Sequence, residues 1–111
     1  MRFKFRAYDT ETKEMSHDYL SKNWLRVCIE SPFIELMQWT GLQDKNGVDI
    51  YEGDIIRWHD IVTADYAIAF EQGVFCLNGS PNENLYHHRD EITKKWEVVG
   101  NVHEHPELLG R

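Results

Sequence analysis

Alternation of apolar and polar residues runs through most of this chain. Phe3, Phe5 and Ala7 fall on one side of an extended segment; Lys4, Arg6 and Tyr8 fall on the other. That period of two predicts a half-buried strand. Polar Asp9–Lys13 predicts a turn, and Glu14-Met15-Ser16 a short hairpin partner. Residues 54–59 alternate again, with Ile55, Arg57 and His59 opposite Ile56 and Trp58. Ile68 and Phe70 share a face of a strand over 67–71, Glu71-Gln72-Gly73 turns, and Val74–Leu77 returns. Residues 96–103 read as a last strand carrying Trp96 and Val98 on one face, and Pro106–Gly110 as a one-turn helix with Pro first and Gly past its end.

Between these segments the pattern is weaker. Trp24, Leu25, Val27 and Ile29 suggest a strand with Cys28 on its opposite face; Ser16 could alternatively cap a short helix through Leu20. Pro32 stops either element. Phe33–Trp39 reads as a strand broken by Thr40-Gly41-Leu42. Asp44-Lys45-Asn46-Gly47 is the strongest turn signal, because Asn-Gly tolerates the two positive φ angles of a type I′ hairpin. Residues 78–84 (NGSPNEN) read as an exposed loop, and 85–95 fit neither period. Many short strands with tight turns predict a mainly β fold: a strand-rich segment over residues 1–47, then a small barrel over 48–111.

Composition narrows the function classes. The 111 residues carry 12 Lys+Arg against 19 Asp+Glu, a net charge of -7. Acidity opposes a broad phosphate-binding surface, since nucleic-acid affinity rests on Lys and Arg. No run approaches the roughly 20 apolar residues of a membrane span, and the basic start alternates where a secretion signal would be apolar. The expectation is a cytoplasmic chain whose two cysteines, Cys28 and Cys76, are reduced and buried in apolar runs.

Three motifs resemble a known family. Lys4-Phe5-Arg6-Ala7-Tyr8-Asp9 with Met15 is the first. The second runs from Met37-Gln38-Trp39-Thr40-Gly41-Leu42-Gln43-Asp44-Lys45-Asn46-Gly47 to Ile50-Tyr51-Glu52-Gly53-Asp54-Ile55-Ile56. The third is Glu97-Val98-Val99-Gly100-Asn101-Val102-His103-Glu104 followed by Pro106-Glu107-Leu108-Leu109. In this order and spacing they resemble the YopX family of bacteriophage and prophage proteins. Trp39 stands where Tyr or Phe is more usual, and His103-Glu104-His105 where Tyr-Glu-Asn is. The resemblance implies an SH3-like β-barrel for the C-terminal part and a phage or prophage origin. It implies no reaction.

Candidate chemistry is sparse. Glu52 and Asp54 flank Gly53, a spacing open to a metal or a general acid, but the favoured reading is structural: Gly53 supplies a turn, Asp54 accepts a local backbone hydrogen bond, and Tyr51 packs. His103 and His105 would share a face and are weak candidates for zinc. There is no G-x-S-x-G, G-x-x-x-x-G-K-[ST] or G-x-G-x-x-G. Neither an enzyme nor a cofactor is expected. Arg2, Lys4, Arg6 and Tyr8 interleave cations with an aromatic and are the candidates for an alternative nucleic-acid face, against the plainer reading that they pair with carboxylates within the fold. Four Trp and five Tyr are a heavy aromatic load for a small core. The leading expectation is a non-enzymatic module that binds a host or phage protein through Tyr51, Glu52, Asp54, Trp58 and Tyr66. An exposed strand edge would also favour homo-oligomers.

Overall fold

The alternating segments become strands of two antiparallel sheets in the computed structural model, which describes residues 4–17, 22–58 and 63–109. The first sheet has the order β2-β1-β3-β4, from β1 (Phe5–Asp9), β2 (Glu14–His17), β3 (Ile34–Gln43) and β4 (Asp49–Tyr51). The second has the order β8-β7-β6-β5-β9, from β5 (Asp54–Trp58), β6 (Ala64–Glu71), β7 (Val74–Leu77), β8 (Ser80–Asn84) and β9 (Trp96–Asn101). The second sheet curls as a half-barrel, so the fold is a mainly β one of small-barrel type.

A 3-10 turn (Leu85–His88) and helix α2 (Arg89–Lys95) close this half-barrel and contribute Leu85 and Ile92 to its core. Ile56, Ile68, Phe75, Leu77 and Trp96 come from the sheet, and Ile50 from β4. Cys76 is fully buried and Cys28 nearly so; burial pushes both thiols up from their ordinary value.

Several expectations change. Residues 24–29 are not a strand: α1 (Lys22–Glu30) is a helix packed along β3. Cys28 is buried while Val27 and Ile29 are 58% and 67% exposed, so the apparent alternation does not mark a sheet face. Ser16, the cap of the alternative helix, lies in β2, and residues 18–20 of that helix lie outside the described residues, as do Arg2 and His59. Thr40-Gly41-Leu42 does not break β3; a register shift between Trp39 and Gln43 carries the strand through.

The two Asn-Gly pairs exchange roles. Of Asn46-Gly47 only Gly47 has a positive φ (78°), because the Asp44 carboxylate accepts the Asn46 and Val48 N–H groups and sets another turn. Asn78 and Gly79 both have positive φ, 53° and 74°, and join β7 to β8 as a two-residue hairpin. Of the expected loop over 78–84, residues 80–84 are therefore a strand. β9 ends at Asn101 rather than His103, because the Asn101 side chain accepts the His103 and Glu104 N–H groups and turns the chain.

The Glu52-Gly53 turn stitches the sheets together. Glu52 N–H donates to Gln38 C=O at 2.9 Å and Gly53 N–H to Ile68 C=O at 2.7 Å; Val102 N–H donates to Gly53 C=O at 2.8 Å. Gly53 adopts φ 87°, and a Cβ there would sit 2.9 Å from the Met37 sulfur. Only glycine meets both conditions without strain.

Candidate binding cleft

The antiparallel register decides which side chains meet. β5 and β9 set Trp58 directly opposite Trp96, and their rings stack 6.1 Å apart at an interplanar angle of 14°. Tyr66, on β6 next to β5, lies 5.4 Å from Trp96. On the far side β8 and α2 rise around these rings. The result is a cleft of about 370 Å³ lined by Trp58, Tyr66 and Trp96 with Leu77, Asn78, Ser80, Glu83, His88 and Glu91.

The cleft is apolar at its floor and acidic at its rim. Glu83 and Glu91 are exposed, and His88 Nε2 stands 3.4 Å from the Glu83 carboxylate. Among the described residues no Lys or Arg lines the cleft. The indole N–H groups of Trp58 and Trp96 are buried without a hydrogen-bond partner among the described residues. Aromatic faces beside exposed carboxylates attract a flat or cationic group and disfavour anions.

The sequence-derived candidates divide between two places. Trp58 and Tyr66 reach the cleft. Tyr51, Glu52 and Asp54 do not; they belong to a buried polar cluster between the sheets. Asp54 is 2% exposed, pairs with Arg6 at 2.8 Å, and accepts the Tyr51 N–H at 2.7 Å. Burial raises the Asp54 carboxyl above its ordinary value despite the pull of Arg6, and burial likewise raises half-buried Glu52. Arg6 donates to the Glu52 C=O at 3.2 Å and lies over the Tyr51 ring. Tyr51 and Asp54 thus hold the scaffold, with no surface to offer a partner.

The basic N-terminal strand is absorbed in the same way. Arg6 and Tyr8 are buried; Tyr8 stacks on His103 with centroids 4.8 Å apart. Lys4 pairs with Asp49 at 2.8 Å and lies over the Trp39 ring at 4.1 Å. The cations point inward because β1 lies in the middle of the first sheet, where the face bearing them packs on the Glu52–Asp54 turn.

His103 and His105 also have structural partners. Burial lowers the His103 imidazole, and His105 Nδ1 accepts the Asn101 N–H at 3.2 Å. Among the described residues no three His, Cys, Asp or Glu side chains are placed to share a metal ion. Sequence reasoning did not bring Glu83 and Glu91 to a binding surface, because their segments alternate too weakly to place, and gave Trp96 an aromatic signal but no assigned partner.

Comparison with known proteins adds identity to this geometry. The model of the family described as YopX protein matches residues 17–110. The crystal structure of protein EF1440 from Enterococcus faecalis is 28% identical, with a TM-score of 0.71 over 98% of this chain and 99% of that one. The crystal structure of protein yopX from Bacillus subtilis is 18% identical, with a TM-score of 0.61 over 95% and 96% of the two chains. The latter likeness shows a shared fold. No curated protein matches the chain.

Proposed function

We infer, for a chain that belongs to the YopX family, that it is a non-enzymatic binding module of a phage or prophage, acting on a host or phage protein in the bacterial cytoplasm. The observation that carries this reading is the cleft: the half-buried Trp58 and Tyr66 rings, packed on the buried Trp96, open to the surface beside two exposed carboxylates. Aromatic side chains at a concave surface give contact area at small entropic cost, and they dominate the energetics of protein interfaces. The acidic rim and the net charge of -7 steer encounters toward basic partners. Trp58 and Tyr66 remain the contact residues of this reading; Glu83 and Glu91 join them, and the buried Trp96 ring backs the two aromatics. The contact role expected of Tyr51 and Asp54 passes to these residues, since buried side chains touch no partner.

The test is a pull-down from host lysate with wild-type protein and the charge-reversed variant Glu83→Arg/Glu91→Arg. Both positions are exposed, so the variant keeps its fold. The reading expects a stoichiometric protein band that survives nuclease and is lost with the variant. Nucleic acid in the eluate, or a band indifferent to the reversal, contradicts it.

A further inference from the structure

We propose that the cleft takes an arginine side chain of its protein partner, the guanidinium lying against the half-buried Trp58 and Tyr66 rings, which Trp96 backs from the core, and pairing with Glu83 and Glu91. The inference deepens the binding-module reading and rests on it. Its basis is the combination of groups around one opening of about 370 Å³.

Aromatic faces alone accept any apolar side chain. Carboxylates alone accept any cation from solvent, weakly. Together, with no Lys or Arg among the described lining residues, they select a group that is both cationic and able to stack. Guanidinium satisfies both demands: it is planar, more weakly hydrated than ammonium, stacks on aromatic faces, and presents a fork of N–H donors that matches a carboxylate. Lysine offers a compact, strongly hydrated charge and loses more on leaving water.

The rim carboxylates are free to act. Glu91 lies in the first turn of α2 and makes no described ion pair. Glu83 faces only His88 at 3.4 Å, a contact charged only when the imidazole is protonated. Elsewhere in the fold Arg57 engages Asp65 at 2.7 Å, Arg6 engages Asp54 and Lys4 engages Asp49, so none of these cations serves the cleft. The cleft thus carries two negative charges that the fold does not compensate, next to rings that can hold a flat cation.

The experiment uses the whole chain, labelled with nitrogen-15, and three blocked tripeptides: Arg-Ala-Arg, its citrulline counterpart, and Lys-Ala-Lys. Citrulline keeps the shape and polarity of arginine without the charge. The proposal expects Arg-Ala-Arg to shift the indole N–H resonances of Trp58 and Trp96, the lysine peptide to bind several-fold more weakly, and the citrulline peptide not to bind. Arginine binding falls at least tenfold in Glu83→Gln/Glu91→Gln, whose unchanged resonances elsewhere report an intact fold, and it weakens with salt.

Equal binding of arginine and citrulline peptides at the cleft would overturn the arginine assignment and leave the cleft as a contact site. Arginine binding indifferent to Glu83→Gln/Glu91→Gln, or no shift of the cleft resonances, would also overturn it. Whether the cleft binds a protein at all is read separately, by the pull-down with the charge-reversed variant.

Discussion

Removing the Asp54 carboxylate is the sharpest test of how the two sheets are held together. Asp54→Ala leaves the Arg6 guanidinium in a site where the two side chains are 6% and 3% exposed. Its remaining partners are the Glu52 C=O at 3.2 Å and the Tyr51 ring. Breaking a buried ion pair by removing one partner costs about 3–5 kcal/mol, because the charge left behind is neither solvated nor paired. The Tyr51 N–H also loses its acceptor, a further ~1 kcal/mol or more. Since the two losses overlap, the expected total is about 4 kcal/mol, a large share of the ~5–15 kcal/mol that holds a domain of this size.

The double variant Arg6→Met/Asp54→Ala removes the orphaned charge; what remains is the loss of the Asp54 acceptor for the Tyr51 N–H and of the Arg6 donor to the Glu52 C=O. It should lose about 1–2 kcal/mol and be more stable than the single variant. Arg6→Met alone should recover as pH falls. Without Arg6 the Asp54 carboxyl moves further above its ordinary value; a raised carboxyl contributes stability at low pH that is lost as pH rises through its folded value. Urea unfolding followed by tryptophan fluorescence measures all three. A double variant no more stable than Asp54→Ala, or an Asp54→Ala loss under about 1 kcal/mol, would refute this account of the inter-sheet pair.

Other perturbations follow from the same contacts. Asp44 is 4% exposed and accepts the N–H groups of Asn46, Val48 and Val98, the last at 2.8 Å across to β9; Asp44→Ala should cost about 3 kcal/mol in urea unfolding, and Asn should not rescue it because its amide meets one N–H donor-to-donor. Burial lowers His103, so the unfolded chain takes up the proton first: wild-type stability should fall as pH drops below the ordinary imidazole value of 6.5, and His103→Phe, which keeps the stack on Tyr8, should show a shallower fall by thermal melts. Gly53→Ala should lose about 1–2 kcal/mol, since it forces a positive φ on alanine while the Met37 side chain gives way; a loss near zero by urea titration counts against the strained turn.

How much of this was legible depended on how local each determinant is. β1, β5, β6 and β7 declared themselves through apolar residues at alternate or consecutive positions between turn-forming residues, although β1, β5 and β7 bury residues on both faces. The Tyr51–Asp54 motif was read correctly as a turn with Asp54 on a nearby N–H, an interaction spanning three residues. Its other half, the Arg6 partner, lies 48 positions away and left no local trace, so the N-terminal cations remained open between a nucleic-acid face and internal pairing. Helix α1 was misread because Leu25, Val27 and Ile29 mimic a strand, while the face that the fold buries is marked by Cys28 alone among residues 26–30. The segment over 78–84 was misread because turn-forming residues dominate its composition, yet only Asn78 and Gly79 turn. The cleft was half visible: Trp58 and Tyr66 come from clear strands, whereas Glu83 and Glu91 reach it only through β8 and α2, elements that the pattern did not resolve.

A photo-crosslinking residue placed at Ser80, in the cleft, and at Glu11, in the exposed turn between β1 and β2, tests the central claim most directly. In bacteria producing the two variants, the account predicts a discrete protein adduct from position 80 that disappears with Glu83→Arg/Glu91→Arg, and none from position 11. Adducts from position 11 with none from position 80 would contradict it and move the contact surface to the first sheet.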